Sequence, residues 1–337
     1  MLAGCSSATA PPGAERGLGA GFQPAQVVAD RLETPWGLAF LPDGGALVSE
    51  RDTGRILRVR PGAPGEEVAR VPGVAPAGEG GLLGLAVSPR FDRDRLVYAY
   101  LTGPDDNRIV RFPLGGSGGF QVVLAGIPKG VIHDGGRIAF GPDRLLYAGT
   151  GDAGDSGNAQ DPASLGGKVL RLEPDGGIPA ANPDPGSPVY SLGHRNVQGL
   201  AWDAGGQLYA TEFGHNRLDE VNRIQAGGNY GWPLVEGTGG GDRFTDPLVT
   251  WPTSAASPSG AAIAGRTLYA TALRGERLWA VPLDGGKPRA LLDGAYGRLR
   301  TVAVAPDGAL WVLTSNRDGR GDPADADDRV LRFAPAG

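Results

Sequence analysis

The chain has very little cysteine, little histidine and no long hydrophobic run. Its 337 residues include one cysteine, Cys5, and three histidines. A single cysteine excludes an intrachain disulfide framework, a CxxC metal site and a covalently attached c-type haem. No apolar stretch approaches the roughly 18 residues that are needed to cross a bilayer. The 32 basic residues against 37 acidic ones give a net charge of −5, which argues against nucleic acid or an anionic membrane surface as a partner.

Amphipathic helices of useful length are also missing, because glycine and proline interrupt every candidate window. The chain contains 58 glycines and 29 prolines, about a quarter of all residues. Such a composition is typical of low-complexity segments when apolar residues are scarce, but here 40% of the residues are hydrophobic. The chain therefore has enough apolar residues for a sizeable core, and its glycines indicate many tight turns between strands.

Internal repeats predict the architecture. Six segments share one pattern, in which an apolar strand runs into a turn resembling Pro-Asp-Gly and a second apolar strand follows. They span residues 36–50, 83–102, 135–152, 197–214, 258–273 and 300–316. Because they recur about every 40 to 60 residues, they predict an all-β fold, a six-bladed β-propeller with four-stranded antiparallel blades. We expect strand 329–333 to pair in one blade with an N-terminal strand within residues 26–32, which removes the open sheet edge.

The first 21 residues differ in character from the rest of the chain. Leu2-Ala3-Gly4-Cys5 resembles the lipobox of bacterial lipoproteins, in which the cysteine is acylated after the signal peptide is cut. The Ala/Pro/Gly-rich stretch that follows, to Gly21, is typical of a flexible tether. This interpretation predicts export to the cell envelope or periplasm with a possible lipid anchor. The alternative is a chance LAGC sequence at a chain terminus.

Residues 133–233 place polar side chains on the turns between predicted strands, where a rigid scaffold usually carries its chemistry. His133 is followed by Asp134 and a glycine pair, so the chain turns sharply beside an imidazole that can act as a general base. Asp134 and Asp152 are candidates to orient this imidazole or to accept a substrate hydroxyl. The alternative is a turn histidine that caps backbone carbonyls.

Two groups of basic and amide side chains predict an anion site. Arg195 and Asn196, with Gln198, offer a forked donor and two amides within four residues, which suits a planar, oxygen-rich anion. Structural hydrogen bonding between blades is the competing interpretation. Arg298 and Arg300 alternate on one strand and therefore project to the same face. Two adjacent guanidinium groups repel unless an anion or a carboxylate lies between them, although an exposed charged strand face is also consistent with the sequence.

Oxygen-rich segments predict metal binding. Residues 219–222 and 227–233 combine acidic and amide side chains with glycines that let backbone carbonyls point inward. Calcium prefers mixed carboxylate and carbonyl ligation, but the spacing of an EF-hand loop is absent. A metal-free turn with an acidic N-cap is the alternative. The acidic residues of 318–328 are a second candidate, but their composition favours a solvated loop.

Three motifs together resemble a known family: GHRNVQG at residues 193–199, DEVN followed by NYGWP within residues 219–233, and GRLR at 297–300 ahead of APDG. Over residues 36–333 the chain resembles the soluble aldose sugar dehydrogenases of the glucose/sorbosone dehydrogenase family, which depend on pyrroloquinoline quinone (PQQ). The resemblance implies that PQQ lies flat over the tunnel mouth and accepts a hydride from the anomeric carbon of an aldose, giving a lactone. Residues 22–337 are then expected to be a catalytic propeller domain.

The resemblance assigns roles to single residues. It implies that His133 takes the proton of the C1 hydroxyl, that Asp152 supports His133, and that Arg195 stabilises charge on a quinone oxygen. The residues placed against the cofactor are Glu79, Arg195, Asn196, Gln198, Arg274, Arg298 and Arg300. Because PQQ carries three carboxylates, an acidic protein needs a local cluster of cations to bind it, and the four arginines provide one.

The resemblance also implies two calcium sites. The backbone carbonyls of Gly214 and His215 fall where a catalytic calcium is held against the cofactor, and such an ion polarises the quinone as a Lewis acid. Glu220 and the Tyr230 carbonyl fall where a structural calcium is held.

Three residues depart from the family pattern. Glu79 stands where some members have glutamine, and a carboxylate there repels an anionic quinone unless it is protonated or paired with arginine. His215 replaces a proline seen in some relatives, which is expected to loosen the calcium loop. Arg274 replaces a lysine, keeping the charge but changing its reach.

Two other function classes fit the same architecture. A calcium-dependent lactonase-type hydrolase needs carboxylates and asparagines around the metal, whereas these loops are rich in arginine. A non-catalytic sugar- or partner-binding propeller on the envelope predicts that PQQ and calcium do not bind. The sequence identifies neither the sugar nor the electron acceptor. Since no second redox centre is visible, we expect electrons to leave to an external carrier protein, quinone or dye.

Overall fold

The structure, a computed structural model, describes residues 22–116 and 118–335, and there it confirms the all-β prediction. Twenty-four strands form six four-stranded antiparallel sheets. Helical structure in these ranges is confined to α1 (Phe91–Asp94), α2 (Gly157–Gln160) and the 3-10 turn Gly241–Arg243. None of these is long and apolar enough to span a membrane. The predicted lipobox at Cys5 and the tether to Gly21 lie outside the described residues.

The sheets are the six blades of a propeller, numbered in chain order. Strand β1 (Gln26–Ala29) precedes them and joins the last blade. Blade one contains β2 (Pro35–Phe40), β3 (Ala46–Glu50), β4 (Arg55–Arg60) and β5 (Ala63–Arg70). Blade two contains β6 (Leu82–Val87), β7 (Leu96–Thr102), β8 (Asn107–Pro113) and β9 (Gln121–Ile127). Blade three contains β10 (Arg137–Phe140), β11 (Leu146–Gly149), β12 (Lys168–Leu172) and β13 (Val189–Leu192).

The second half of the ring repeats this order. Blade four contains β14 (Val197–Trp202), β15 (Leu208–Glu212), β16 (Leu218–Ile224) and β17 (Val249–Pro252). Blade five contains β18 (Pro258–Ala264), β19 (Thr267–Ala272), β20 (Arg277–Pro282) and β21 (Arg289–Leu291). Blade six contains β22 (Leu299–Val304), β23 (Leu310–Thr314) and β24 (Val330–Phe333), completed by β1. The first strands of neighbouring blades contact one another around the ring, including β22 with β2, and enclose the tunnel.

Blade six closes the ring in the way the sequence predicts. Strand β1 pairs antiparallel with β24, placing Gln26 opposite Arg332 and Val27 opposite Leu331. The N-terminal strand therefore becomes the outermost strand of a sheet whose other three strands come from the C-terminal end of the chain. This pairing ties the two ends of the propeller together and covers the free edge of β24.

Apolar packing lies mainly between blades. Six clusters of buried residues occupy the six interfaces between neighbouring sheets. Between blades six and one, for example, Val28, Leu313 and Val330 pack with Val48 and Leu57. Because every blade packs against two neighbours, the positions of the tunnel-side strands are fixed from both sides.

Buried hydroxyl groups fix the strand ends at one end of the tunnel. Ser49 Oγ donates to the carbonyl of Leu83 at 2.5 Å, and Tyr100 Oη donates to that of Asp134 at 2.9 Å. Thr271 Oγ1 donates to the carbonyl of Arg300 at 3.0 Å. In each case a residue on the second strand of one blade donates a hydrogen bond to the backbone at the start of the next blade. These bonds hold the loops that carry the predicted site residues.

Candidate active site

The predicted catalytic and cofactor-binding residues meet at one end of the tunnel. This end holds the start of each blade's first strand and the end of its second, since the two strands are antiparallel. A cavity of about 370 Å³ opens there. It is lined by Glu79, His133, Arg195, Phe213, Ser257, Leu273, Arg274, Arg298 and Arg320. Loops from five blades, two through six, therefore contribute to one cavity.

His133 and Asp152 form a hydrogen-bonded pair at the wall of this cavity. The imidazole Nδ1 lies 2.6 Å from Asp152 Oδ1. His133 has a positive φ of 61°, and its backbone N–H donates to Glu79 Oε2 at 2.9 Å. With Nδ1 donating to the carboxylate, Nε2 is the acceptor nitrogen, and it makes no hydrogen bond to any residue in the described ranges. The side chain is thus oriented by a carboxylate and keeps one basic nitrogen available, rather than capping a turn.

Asp152 is held by more partners than the sequence indicated. Its Oδ1 also accepts the Gly154 N–H at 2.9 Å, and its Oδ2 accepts the indole N–H of Trp232 at 2.8 Å. Burial raises the pKa of Asp152, but the hydrogen bonds from His133, Gly154 and Trp232 outweigh burial and hold the pKa below its ordinary value. Asp152 therefore stays ionised beside the imidazole.

Trp232 is a site residue that the sequence analysis missed. Besides its bond to Asp152, its ring lies 5.4 Å from the guanidinium carbon of Arg195. The backbone carbonyl of Trp232 accepts the Gln160 amide at 2.7 Å, which fixes the loop. In the sequence, NYGWP contributes to the family resemblance and to a predicted metal site, and no role is predicted for its tryptophan. An indole carries no charge and nothing in its spacing pairs it with residue 152, so only the folded chain reveals the contact.

Asp134 does not orient His133. Its Oδ1 accepts the side-chain amide of Asn107 at 2.9 Å and the Gly130 N–H at 3.0 Å, while Oδ2 is buried without a partner. Burial raises the pKa of Asp134 to about 6. Of the two carboxylates proposed to assist His133, the structure places only Asp152 against the imidazole.

Arg195, Asn196 and Gln198 lie together, and each is partly engaged by backbone or side chains of its own surroundings. Arg195 Nη1 donates to the Gly214 carbonyl at 2.5 Å. Asn196 Oδ1 accepts the Gly135 N–H at 3.0 Å, and Gln198 Oε1 accepts Arg300 Nη1 at 2.9 Å. The competing interpretation, hydrogen bonding between blades, is therefore correct for part of the Asn196 and Gln198 side chains, whereas the Arg195 bond stays within blade four. The remaining donors are left for a ligand.

A carboxylate separates the two alternating arginines, as their repulsion requires. Asp318 Oδ2 lies 2.8 Å from Arg298 Nη2 and 3.5 Å from Arg300 Nη2. Burial raises the pKa of Asp318, but the two guanidinium groups hold it below its ordinary value. The expectation of a solvated loop over residues 318–328 holds for residues 319–320 and 322–325, which are exposed, but it is wrong for Asp318, Asp327 and Asp328, whose side chains are buried.

The carboxylate of Glu79 is paired with an arginine, which is the arrangement in which it does not repel an anionic quinone. Its Oε1 accepts Arg320 Nη1 at 2.9 Å, from a loop 241 residues away in sequence. Burial raises the pKa of Glu79, but the bonds from the His133 backbone and Arg320 hold it below its ordinary value. Arg320 was not predicted as a site residue.

Arg274 lines the rim of the cavity, is exposed, and makes no hydrogen bond or ion pair with other described residues.

Unsatisfied donors surround the cavity floor. Arg195 Nε, Asn196 Nδ2 and Arg300 Nε are buried without a hydrogen-bond acceptor in the described part of the chain. Buried donors of this kind are rare, because each costs about 1–3 kcal/mol of desolvation. With the guanidinium groups of Arg274 and Arg298 beside them, they fit a flat anion with several oxygen acceptors.

Glu220, which the sequence predicts as a ligand of a structural metal, lies beside other oxygen-bearing side chains. Burial, and then the charge of Glu212, raise the pKa of Glu220 to about 8. Asn222 Nδ2 donates to Glu220 at 3.0 Å and to Glu212 at 3.2 Å, while Asn222 Oδ1 is a buried acceptor without a donor. These oxygens suit a cation, although within residues 22–116 and 118–335 no three His, Cys, Asp or Glu side chains are grouped around one metal position.

The other predicted metal residues are ordered by neighbouring side chains. Glu236 Oε1 accepts four consecutive backbone N–H groups, of His215, Asn216, Arg217 and Leu218, at 2.7 to 3.1 Å. This carboxylate fixes the loop that presents the Gly214 and His215 carbonyls. Tyr230 is buried, and its ring stacks on His194 with centroids 4.6 Å apart.

Comparison with known proteins agrees with this geometry. The family model described as glucose/sorbosone dehydrogenase matches residues 32–323. The structure of the PQQ-bound form of the aldose sugar dehydrogenase from Streptomyces coelicolor is 55% identical, with a TM-score of 0.89 over 93% of this chain and 98% of that one. A putative oxidoreductase (glucose dehydrogenase) from Thermus thermophilus is 46% identical, with a TM-score of 0.86 over 93% of this chain and 100% of that one.

A curated relative extends the similarity at lower identity. The aldose sugar dehydrogenase YliI of Escherichia coli is 31% identical, over 87% of this chain and 90% of the relative. Both the family match and the curated relative span most of the propeller. The chain therefore belongs to the glucose/sorbosone dehydrogenase family.

Proposed function

We propose that this protein is a PQQ-dependent aldose dehydrogenase that oxidises the C1 hydroxyl of a sugar to a lactone and passes electrons to an external acceptor. The observation that carries the proposal is the imidazole of His133, held at Nδ1 by Asp152, on the wall of an arginine-lined cavity. A positioned base beside an anion-binding surface is the arrangement that this oxidation needs.

His133 acts on the substrate hydroxyl. Its Nε2 accepts the proton of the C1 hydroxyl, and Asp152 stabilises the imidazolium that forms. When bound, PQQ supplies the two-electron acceptor to which the C1 hydride passes. The guanidinium of Arg195 lies over Trp232 and against the Gly214 carbonyl. In the proposal it stabilises the negative charge on a quinone oxygen.

The remaining basic residues bind the cofactor carboxylates. Arg298 and Arg300 are buried and share Asp318, so they present a fixed positive surface at the cavity floor. Arg274 is free to supply a further charge from the rim. The unpartnered donors of Arg195, Asn196 and Arg300 support this assignment, because an oxygen-rich ligand satisfies them.

We also propose that the protein binds calcium at two places. The carboxylate of Glu220, the neighbouring Glu212 and the unpartnered Asn222 Oδ1 support a structural cation beside Tyr230. The Gly214 and His215 carbonyls are proposed to hold a second cation next to the cofactor. Because Arg195 donates to the Gly214 carbonyl, this cation and the guanidinium must share or exchange that oxygen.

The proposed cellular setting, export to the cell envelope or periplasm, rests on the N-terminal sequence alone. Leu2-Ala3-Gly4-Cys5 supports export and a lipid anchor on Cys5. Electrons are then proposed to leave to an external carrier protein, a quinone or a dye.

The test is reconstitution of the apo-protein. Dye reduction with glucose or another aldose is measured with PQQ, with calcium, with both and with neither, together with PQQ binding by absorbance titration. We expect activity only when both are added. Failure to bind PQQ would support a non-catalytic binding propeller, and lactone hydrolysis that needs calcium alone would support a hydrolase.

A further inference from the structure

A further buried guanidinium, that of Arg137, lies inside the tunnel, beyond the arginines of the candidate active site. Arg137, on β10, donates from Nε to the Gln198 carbonyl at 2.7 Å and from Nη2 to Thr301 Oγ1 at 2.9 Å. Its guanidinium carbon lies 4.3 Å from the centre of a Trp36 ring, and that of Arg300 lies 5.7 Å from it. Trp36 is therefore in contact with both cations.

The charge of Arg137 has no counter-ion among the described residues. The residue is only 8% exposed, and within residues 22–116 and 118–335 it forms no ion pair and its Nη1 makes no hydrogen bond. Thr301 gives its own hydroxyl proton to the Trp36 carbonyl at 2.6 Å, so it is an acceptor for Arg137. Burial and then the nearby Arg300 lower the pKa of Arg137 to about 9, which leaves it charged at neutral pH. A buried cation without a counter-ion is unfavourable, and binding an anion offsets that cost.

Arg137 faces a separate cavity at the other end of the tunnel. This cavity, about 270 Å³, is lined by Arg137 and Thr301 together with apolar residues. Among these, Phe40, Val87 and Phe140 are the last residues of β2, β6 and β10, the strand ends opposite His133. It shares no lining residue with the arginine-rich cavity. The tunnel therefore has a far-side pocket with one guanidinium at its inner end, and its side chains other than Arg137 and Thr301 are apolar.

We propose that this far-side pocket binds a small, weakly hydrated monoanion, such as a heavier halide or a short-chain carboxylate, through the free N–H groups of Arg137. One guanidinium with a single free terminal nitrogen suits one negative charge, not a phosphate or a dicarboxylate. Apart from Arg137 and Thr301 the side chains around this position are apolar, and they favour an anion that loses its water easily or carries a short alkyl group. The site is distinct from the proposed PQQ site and does not depend on it.

The test compares anion binding at the two ends of the tunnel. Purified full-length protein is titrated with bromide, butyrate and fluoride at constant ionic strength, while arginine Nε–H NMR signals and thermal unfolding are followed. We expect a saturable shift of the Arg137 signal and added stability with bromide or butyrate, and at least about tenfold weaker binding of fluoride. The response should persist in R274Q, which removes an unpaired arginine of the active-site cavity, and disappear in R137Q.

An equal response in R137Q, or its loss in R274Q, would overturn the proposal. If R137Q does not fold, anomalous diffraction from bromide-soaked wild-type crystals decides the question. A bromide in contact with the Arg137 guanidinium supports the site. Bromide found only among Arg195, Arg298 and Arg300, or nowhere in the tunnel, contradicts it.

Discussion

At the residue scale, the site depends on how the two oxygens of Asp152 are divided. Oδ1 holds the imidazole of His133, and Oδ2 holds the indole of Trp232, which also lies against Arg195. One carboxylate therefore connects the proposed base to the proposed charge-stabilising arginine. This connection explains why a carboxylate is buried here, since each of its oxygens has a donor.

Replacing Asp152 with asparagine tests the carboxylate directly. D152N keeps the shape but removes the charge that stabilises the imidazolium, so we expect kcat to fall by about 100-fold or more, with little change in sugar KM. The matched control is D134N, because Asp134 is also buried and close in sequence but does not contact the imidazole. We expect D134N to retain activity within about threefold. Steady-state kinetics on the reconstituted enzymes would show equal losses in both variants if the assignment is wrong.

Replacing Trp232 tests the hydrogen bond to the second oxygen of Asp152, Oδ2. W232F removes the N–H donor but leaves a ring beside Arg195, so the basicity of Asp152 rises and the imidazolium of His133 becomes more stable. We expect the acidic limb of the kcat/KM profile of the reconstituted enzyme to move to higher pH. W202F, which changes a tryptophan packed on Tyr147, is the control. An unchanged acidic limb would reduce Trp232 to a packing role.

At the scale of elements, loops after the second strands are shaped by single side chains of other loops. Glu236 lies in the loop between β16 and β17. Its carboxylate accepts the N–H groups of residues 215–218 and holds them in one turn. Such a nest of backbone donors is a general anion-binding device, used here to fix the backbone next to Gly214.

The Glu236 nest has a defined pH dependence. Burial raises the pKa of Glu236, but the four N–H donors outweigh burial and hold it below its ordinary value. The stabilisation is therefore present above the ordinary glutamate pKa and is lost as pH falls through the lower folded value. We expect E236Q to expose the amides of residues 215–218 to about tenfold faster hydrogen exchange at neutral pH, with E66Q as the exposed control. Equal exchange in both variants would contradict the role of the nest.

The sequence predicted the inner half of each blade more fully than the outer half. The six repeats match the first two strands of every sheet, because those strands are apolar and joined by Pro-Asp-Gly-like turns. Outer strands such as β5, whose residues are mostly exposed, carry no such alternation and were not located. Similarly, the motifs identified His133 and Arg195. They did not identify Arg320, whose partner Glu79 lies 241 residues away and meets it only in the closed ring. They did not identify Asp318 as the partner of Arg298 either, because that pairing depends on how the loops at one end of blade six fold together.

At the scale of the whole molecule, stability depends on closing the ring through β1. Val28 is buried between blades six and one, whereas its neighbour Val27 is 37% exposed. We expect Val28→Ala to lower the free energy of unfolding by about 1–3 kcal/mol, because it leaves a cavity in this interface. Val27→Ala should change it by less than about 0.5 kcal/mol. Urea unfolding of both variants measures the difference. Equal effects would mean that β1 does not seal the propeller.

The proposed function depends on one chemical event, in which His133 takes the proton of the sugar C1 hydroxyl and two electrons leave the sugar. The most direct measurement is the absorbance of protein loaded with PQQ and calcium, mixed anaerobically with an aldose and without any dye. We predict rapid conversion of the bound cofactor to its reduced spectrum in the wild type, and conversion slower by about 100-fold or more in H133Q with unchanged PQQ binding. Reduction at the same rate in H133Q, or no reduction in the loaded wild type by any aldose, would contradict the account.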